Sequence, residues 1–198
     1  MTEQDWITRA RAGDETAFSP LVERYQAAVY NLCYRMLGEP HEAEDAAQET
    51  FLRAYAQLRR YDPARSFKTW LLSIAGHHCI DRLRKRRQTW LSIEDDELPP
   101  HPNLREPNPG PEELIVRREQ SAAIQKHLAC LAPPDRQVIV MRYWYDLSYE
   151  EIAQATGTTV SAVKSRLHRA RGHLAERLTS ATSNVPRPAT RPVLATEG

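Results

Sequence analysis

Ser161, Lys164, Ser165, Arg166, His168 and Arg169 fall within nine consecutive residues, hydroxyls first and cations after. If this stretch is helical, Ser161, Lys164, Ser165, His168 and Arg169 recur at spacings of three and four and share one face, with Arg166 beside them. Such a face donates hydrogen bonds to base edges and charge to phosphate oxygens. A second concentration is Arg82 to Arg87, five cations in six positions, preceded by Lys68, His77 and His78. That density suits contact with a phosphate backbone. A third is the polar set Asp45, Gln48, Glu49 and Arg53, again at helical spacing. His77-His78-Cys79 invites a metal reading, but neighbours on a helix point about 100° apart and cannot all chelate one ion. No general acid–base pair and no phosphate-cradling glycine loop is present. The chemistry on offer is therefore recognition, with no catalysis, cofactor or metal expected.

The first set needs a helix-turn-helix to present it, and Leu147 to Arg171 reads as one. Ser148 caps a first helix and Glu151 completes a capping box. Ile152 is apolar, and small Ala153 suits a close crossing. Gly157 sits where the turn needs freedom from the Cβ penalty. Thr158 or Thr159 caps the second helix. Val160, Val163, Leu167 and Leu174 form its buried stripe, opposite the polar face, so the polar face is free to enter a major groove.

The other two sets need helices in the N-terminal half. Asp14 caps a helix running to about Gly38, with Phe18, Leu21, Val22, Tyr25, Val29, Leu32 and Met36 inward and Pro20 in its opening turns. Pro40 opens the next, whose buried side is Ala46, Ala47, Thr50, Phe51, Ala54 and Leu58. Its polar side carries Asp45, Gln48, Glu49 and Arg53. Tyr61-Asp62-Pro63 breaks the chain, and a further helix spans about Ser66 to Gln88. Phe67, Trp70, Leu71, Ile74 and Ile80 point one way, with Trp70 in the core rather than serving as a base-stacking platform.

Glu151-Ile152-Ala153 followed by Val163-Lys164-Ser165-Arg166-Leu167-His168-Arg169-Ala170-Arg171 resembles the promoter-reading C-terminal domain of bacterial sigma factors, closest to the extracytoplasmic-function (ECF) type. Glu42-Ala43-Glu44-Asp45-Ala46-Ala47-Gln48-Glu49-Thr50-Phe51 is similar to that family's polymerase-binding helix, which docks on the clamp of the largest RNA polymerase subunit. The resemblance makes Asp45, Gln48, Glu49 and Arg53 interface candidates. Phe67-Lys68-Thr69-Trp70-Leu71 and Ile80-Asp81 resemble the segment that opens the −10 element and captures an extruded base. It implies −10 contacts from Lys68, His77, His78, Arg82, Arg84, Lys85, Arg86 and Arg87, and −35 contacts from Ser161, Lys164, Ser165, Arg166, His168 and Arg169. Gly76-His77 departs from the family, where an Arg-Asn pair commonly stands. Leu131 to Tyr145 resembles the approach to the DNA-reading motif, helices that in the family also hold the flap of the second-largest subunit. The resemblance runs from about Thr2 to Leu178. It implies core RNA polymerase, promoter DNA and an anti-sigma factor as partners.

Net charge is only +1, so the basic runs mark segregation rather than excess; Glu94 to Glu97 is wholly acidic. From Ser92 to Pro111 six of the chain's 14 prolines lie beside acidic residues, which excludes a helix and makes a linker. A plain tether is one reading; the resemblance implies a path through the polymerase near template and RNA. Helix resumes near Pro111-Glu112-Glu113, with Leu114, Ile124, Leu128 and Leu131 inward. Pro133-Pro134-Asp135 starts another, carrying Val138, Ile139, Met141 and Arg142, whose end, Tyr143-Trp144-Tyr145, packs under the helix-turn-helix. Past Leu178 the composition reads as a disordered tail. Cys33, Cys79 and Cys130 are far apart and read as small core side chains in a reducing compartment. No apolar run is long enough to span a bilayer, and the expected location is the cytoplasm.

The expectation is an all-α chain of two small helical domains on a proline-rich linker: residues 1–91, linker 92–111, residues 112–178 with the helix-turn-helix, and tail 179–198. The function implied is that of an ECF sigma factor. One rival is a dimeric helix-turn-helix regulator that binds operators without polymerase. The other is an enzyme with a site at His77, His78 and Cys79.

Overall fold

A computed structural model describes residues 1–90 and 122–183; the expectations for the linker, for the helix start near Pro111 and for residues 184–198 lie outside them. Every regular element among the described residues is helical. Helix α1 (Glu3–Arg11) was not read from the pattern above. Its signal is local: the Thr2 and Asp5 side chains form a reciprocal capping box, and Ile7 and Ala10 are buried one turn apart. Asp14 caps a short 3₁₀ turn, Glu15–Ala17, rather than the long helix itself. Helix α2 (Ser19–Leu37) follows with Pro20 in its first turn and stops at Gly38, whose φ of 84° is left-handed. Helix α3 (Pro40–Gln57) is capped by the Glu39 carboxylate, which accepts from the His41 and Glu42 amides. Helix α4 runs Phe67–Trp90.

Helices α2, α3 and α4 pack on one another, and α1 lies on α2. Leu21, Val29, Leu32, Met36, Ala43, Ala46, Ala54, Leu71, Leu72 and Ala75 fill the space between them. Small residues on α3 and α4 let the helices approach closely, while leucines from α2 and α4 fill the gaps. Trp70 packs partly buried against this core, within ring contact of Tyr61 and Phe67. Ile74 and Ile80 are likewise half-buried, and Leu72, Ala75 and Cys79 take the deeper positions.

In the C-terminal half, residues 122–129 form α5. Helix α6 (Pro133–Tyr145) ends at Asp146, which takes a left-handed φ of 52°. Helix α7 (Tyr149–Thr156) begins with the Ser148–Glu151 capping box and ends at Gly157, φ 62°. Helix α8 (Val160–Ser183) is capped by Thr159, whose hydroxyl accepts from the Ala162 amide. It continues past the expected boundary at Leu178. Val163, Leu167 and Ala170 are buried against α6 and α7, and Val160 and Leu174 flank them half-buried.

The two halves do not stand apart. Helix α6 packs on α2 and α4, α7 also meets α4, and one contiguous apolar core joins them. The polar ties are specific. Gln125 donates to the Tyr34 and Arg35 carbonyls at 2.8 and 3.2 Å, Arg136 to the Met36 carbonyl, and the Tyr145 hydroxyl to the Ala28 carbonyl at 2.6 Å. Several expectations are corrected by this docking. Ile124 is 44% exposed, while Gln125 turns inward to reach α2. Tyr143-Trp144-Tyr145 does not pack under the helix-turn-helix. Tyr143 is exposed, the Arg35 guanidinium lies 4.9 Å from the Trp144 ring, and Tyr145 reaches α2. Cys33 and Cys79 are buried as expected, but Cys130 is exposed at the end of α5. Gly76 is buried against Gln137, and a Cβ there would lie 2.1 Å from the Gln137 amide nitrogen. This closed packing leaves no room for the arginine that the family pattern suggests at that position.

Candidate nucleic-acid interface

On α8 the expected face is presented as the spacing required. Ser161, Lys164, Ser165, His168 and Arg169 are exposed, and Arg166 is half-buried. The buried stripe opposite fixes the rotation of the helix, and Gly157 fixes its angle to α7. Arg169 is not simply a free cation. Its guanidinium holds the largely buried Asp135 carboxylate of α6 through two hydrogen bonds, 3.0 and 3.3 Å, and this pairing raises the Arg169 pKa. Arg142 reinforces the approach to the motif, donating to the Leu147 carbonyl at 2.9 Å and lying over the Tyr149 ring.

On α4 the basic set divides. His77, Arg84, Lys85 and Arg87 are exposed; Lys68, Arg82 and Arg86 are half-buried. Lys68 sits 5.5 Å from the Tyr145 ring centre, covered by the C-terminal half. Arg82 faces Asp45 at 4.0 Å and Arg86 faces Glu42 at 3.5 Å, both on α3, while Arg84 pairs with Asp81 at 3.6 Å. His78 corrects the sequence reading. It is buried, 8% exposed, with its Nε2 unpartnered among the described residues. Burial holds its pKa below the usual imidazole range, with Arg53 and Arg82 adding to the effect, so the ring is neutral at physiological pH. A buried neutral imidazole does not grip a phosphate. Its position one residue from His77 turns it about 100° away, onto the core side of the helix.

On α3, Asp45 and Gln48 are exposed, and Glu49 and Arg53 are half-buried and joined at 2.7 Å. The Arg53 hydrogen bond lowers the Glu49 pKa. Leu52, absent from the expected interface, is 67% exposed on the same helix, one turn beyond Gln48. It is an apolar residue on an otherwise polar face. Among the described residues no group of three or more His, Cys, Asp or Glu side chains is arranged to hold a metal ion, and no helix is long and apolar enough to cross a membrane.

Residues 21–89 match Sigma-70 region 2 and residues 121–174 match Sigma-70 region 4. The chain is 39% identical over 176 residues to the ECF RNA polymerase sigma factor SigW of Bacillus subtilis, covering 87% of this chain and 94% of that protein. The chain belongs to the ECF RNA polymerase sigma-factor family. It is also 31% identical over 198 residues to the ECF sigma factor SigE of Mycolicibacterium smegmatis, covering 92% of this chain and 74% of that one. Its fold superposes with a TM-score of 0.66 on CnrH in complex with the cytosolic domain of CnrY, at 27% identity over 90% of this chain and 97% of that one. A sigma factor binds core RNA polymerase and directs it to promoters, and ECF sigma factors as a family are not catalytic enzymes. This ECF sigma factor carries region 2 on α2 to α4 and region 4 on α5 to α8, in the expected order.

Proposed function

We propose that this ECF sigma factor divides promoter recognition between its two halves. In this reading residues 1–91 act on polymerase and the −10 element, 92–111 link the halves, 112–178 read the −35 element, and 179–198 form a tail. Helix α8 enters the major groove of the −35 element, with Ser161, Ser165 and His168 toward base edges and Lys164 and Arg166 toward phosphates. Each phosphate neutralised releases counterions, so affinity falls steeply with salt.

The basic part of α4 holds the −10 strand. His77, Arg84, Lys85 and Arg87 are exposed for that purpose, and Lys68 becomes available once Tyr145 moves away. Extruding a base costs a few kcal/mol of unstacking, which contacts from this segment offset. Asp45, Gln48, Glu49 and Arg53, with Leu52 at their centre, form the face of α3 that meets the clamp of the largest polymerase subunit. Helices α5 and α6 meet the flap of the second-largest subunit. An anti-sigma factor competes for these surfaces.

The observation that carries this reading is the ordered pair of regions on one chain, with a cationic, exposed face on the second helix of the helix-turn-helix. The test is to mix the purified protein with core polymerase and map transcription starts on genomic DNA. A defined set of starts sharing −35 and −10 sequences is expected. Stable operator binding by a dimer of the chain, with no effect on polymerase, would overturn the proposal.

A further inference from the structure

Arg136 of α6 is a buried cation whose partners carry no charge. It is 6% exposed, and its hydrogen bonds go to three backbone carbonyls: Nη1 to Met36, and Nη2 to Ala129 at 2.8 Å and Leu131 at 3.3 Å. Among the described residues its Nε has no partner and no carboxylate pairs with it. Arginine is almost never buried to this extent unless an anion compensates it. Burial pushes its pKa down to about 10, and the field of Arg86 adds to the fall.

The residue after Met36, Leu37, lines a cavity of about 220 Å³ at the junction of α2, α3 and α4. Glu42 of α3 and Arg82, Leu83, Lys85 and Arg86 of α4 complete its wall, so three cations face one carboxylate. Arg82, Lys85 and Arg86 fall within about 100° of arc on the helix, whereas Arg84 is turned to the other side. The carboxylates that Arg82 and Arg86 now face are not firm partners. Asp45 lies at 4.0 Å and Glu42 at 3.5 Å, and pairs of that length with solvent access are weak. Arg82 and Arg86 are also one turn apart, about 6 Å along the axis. That separation suits two linked phosphoryl groups, each gripped by the two prongs of one guanidinium, with the Lys85 ammonium as a point charge beside them.

We infer that this cavity is a binding site for a compact polyphosphate anion: Arg82, Lys85 and Arg86 hold a diphosphate group, whose charge also compensates Arg136 behind Leu37. The group is carried by inorganic pyrophosphate or by a nucleoside diphosphate. The same three side chains are assigned above to the −10 strand, so anion and strand compete for them. That competition rests on the function proposed above; the site itself does not.

The experiment is a calorimetric titration of the free full chain with inorganic pyrophosphate, and with orthophosphate and sulfate at matched ionic strength. One saturable site is expected, at least tenfold tighter for pyrophosphate than for either single anion, with a matching rise in thermal midpoint. Arg82→Ala and Arg86→Ala should each weaken binding at least tenfold with circular dichroism unchanged. Arg84→Ala and Arg87→Ala remove the same charge from exposed positions outside the cavity and should change it less than twofold. An absence of saturable heat, equal affinity for sulfate, or equal losses in all four variants overturns the site and leaves only a diffuse basic helix. A nucleoside diphosphate separates the two sources: tighter binding than pyrophosphate assigns a nucleotide, and equal or weaker binding assigns the inorganic anion. Promoter binding by the holoenzyme is then measured with and without pyrophosphate, for wild type and for the Arg82→Ala/Arg86→Ala double variant. Pyrophosphate should weaken the wild type several-fold more, since any effect on polymerase itself is common to both. If the free chain binds pyrophosphate and the two holoenzymes respond alike, the −10 role of these arginines falls and the site stands.

Discussion

Lys164 and Arg169 look alike in the sequence and differ in the structure, which makes their substitution a sharp test of the −35 interface. Lys164 is exposed on the face of α8 opposite its buried stripe. Arg169 is pinned to Asp135 by two hydrogen bonds. Each phosphate neutralised on B-DNA contributes about −0.9 to the slope of log K against log salt. Lys164→Ala should therefore flatten that slope by about 0.9. Between 50 and 200 mM salt, a fourfold range, the variant should lose roughly 3.5-fold less affinity than wild type. Arg169→Ala acts first on the protein, because the largely buried Asp135 carboxylate loses its partner. It should lower the thermal midpoint and change the salt slope by much less than one phosphate contact. The assay is fluorescence anisotropy of the polymerase holoenzyme on a promoter recovered by start mapping, across the salt series, with calorimetry on each free variant. An unchanged slope for Lys164→Ala refutes its placement at a phosphate. A full-unit change for Arg169→Ala with no loss of stability refutes the structural role of the Asp135 pair.

Three further outcomes are expected. Glu49→Ala should weaken binding to core polymerase several-fold in a titration while leaving circular dichroism unchanged, and unaltered affinity would remove α3's polar face from the interface. Leu167→Ala empties a site that is 1% exposed and should lower stability by about 2–5 kcal/mol in urea denaturation; a loss below about 1 kcal/mol would mean that α8 is not seated as described. His78 has a pKa held below its unfolded value of about 6.5, so the unfolded chain binds a proton there that the folded chain refuses. Its contribution is present above about pH 6.5 and is lost as pH falls toward the folded pKa, with a slope of at most about 1.4 kcal/mol per pH unit. His78→Gln should flatten the fall in urea stability between pH 6.5 and 5, and an identical pH profile would show that His78 is not the group responsible.

The helix-turn-helix was legible because its determinants are local. Ser148 and Glu151 cap each other, Gly157 takes the left-handed φ that a turn demands, and Val163 and Leu167 repeat at helical spacing. The ends of α2 and α3 were legible for the same reason, through Gly38 and Pro40. The failures share one cause. Asp135 to Met141 is buried without a break, so α6 has no solvent side for a polar residue to mark. On α5 the apolar Ile124 was expected inward, whereas it is exposed and Gln125 beside it takes the inward position to reach α2. The destination of Tyr145 depends on α2, over a hundred residues away, and no spacing encodes that. His78 failed through the same assumption, since desolvation by α4's own packing outweighs the chemical preference of an imidazole for water. Leu52 is the reverse case, an exposed apolar residue on a helix face otherwise marked by its polarity.

The basic run on α4 is not one surface. Arg82 and Arg86, one turn apart, lean toward Asp45 and Glu42 of α3, while Arg84, Lys85 and Arg87 stand on the exposed side. At 4.0 and 3.5 Å, with solvent access on both partners, the two inter-helix pairs belong to the class worth about 0–1 kcal/mol. They are too weak to hold the helices together, a task already met by Ala43, Ala46, Cys79 and Leu72 beneath them. Their effect is to orient side chains. Asp45 is read as meeting polymerase and Arg82 as meeting promoter phosphate, and in the free protein each faces the other. Under the proposed function, polymerase docking that drew Asp45 away would leave Arg82 without its facing carboxylate, and a strand phosphate would take that place through an equally charge-assisted hydrogen bond.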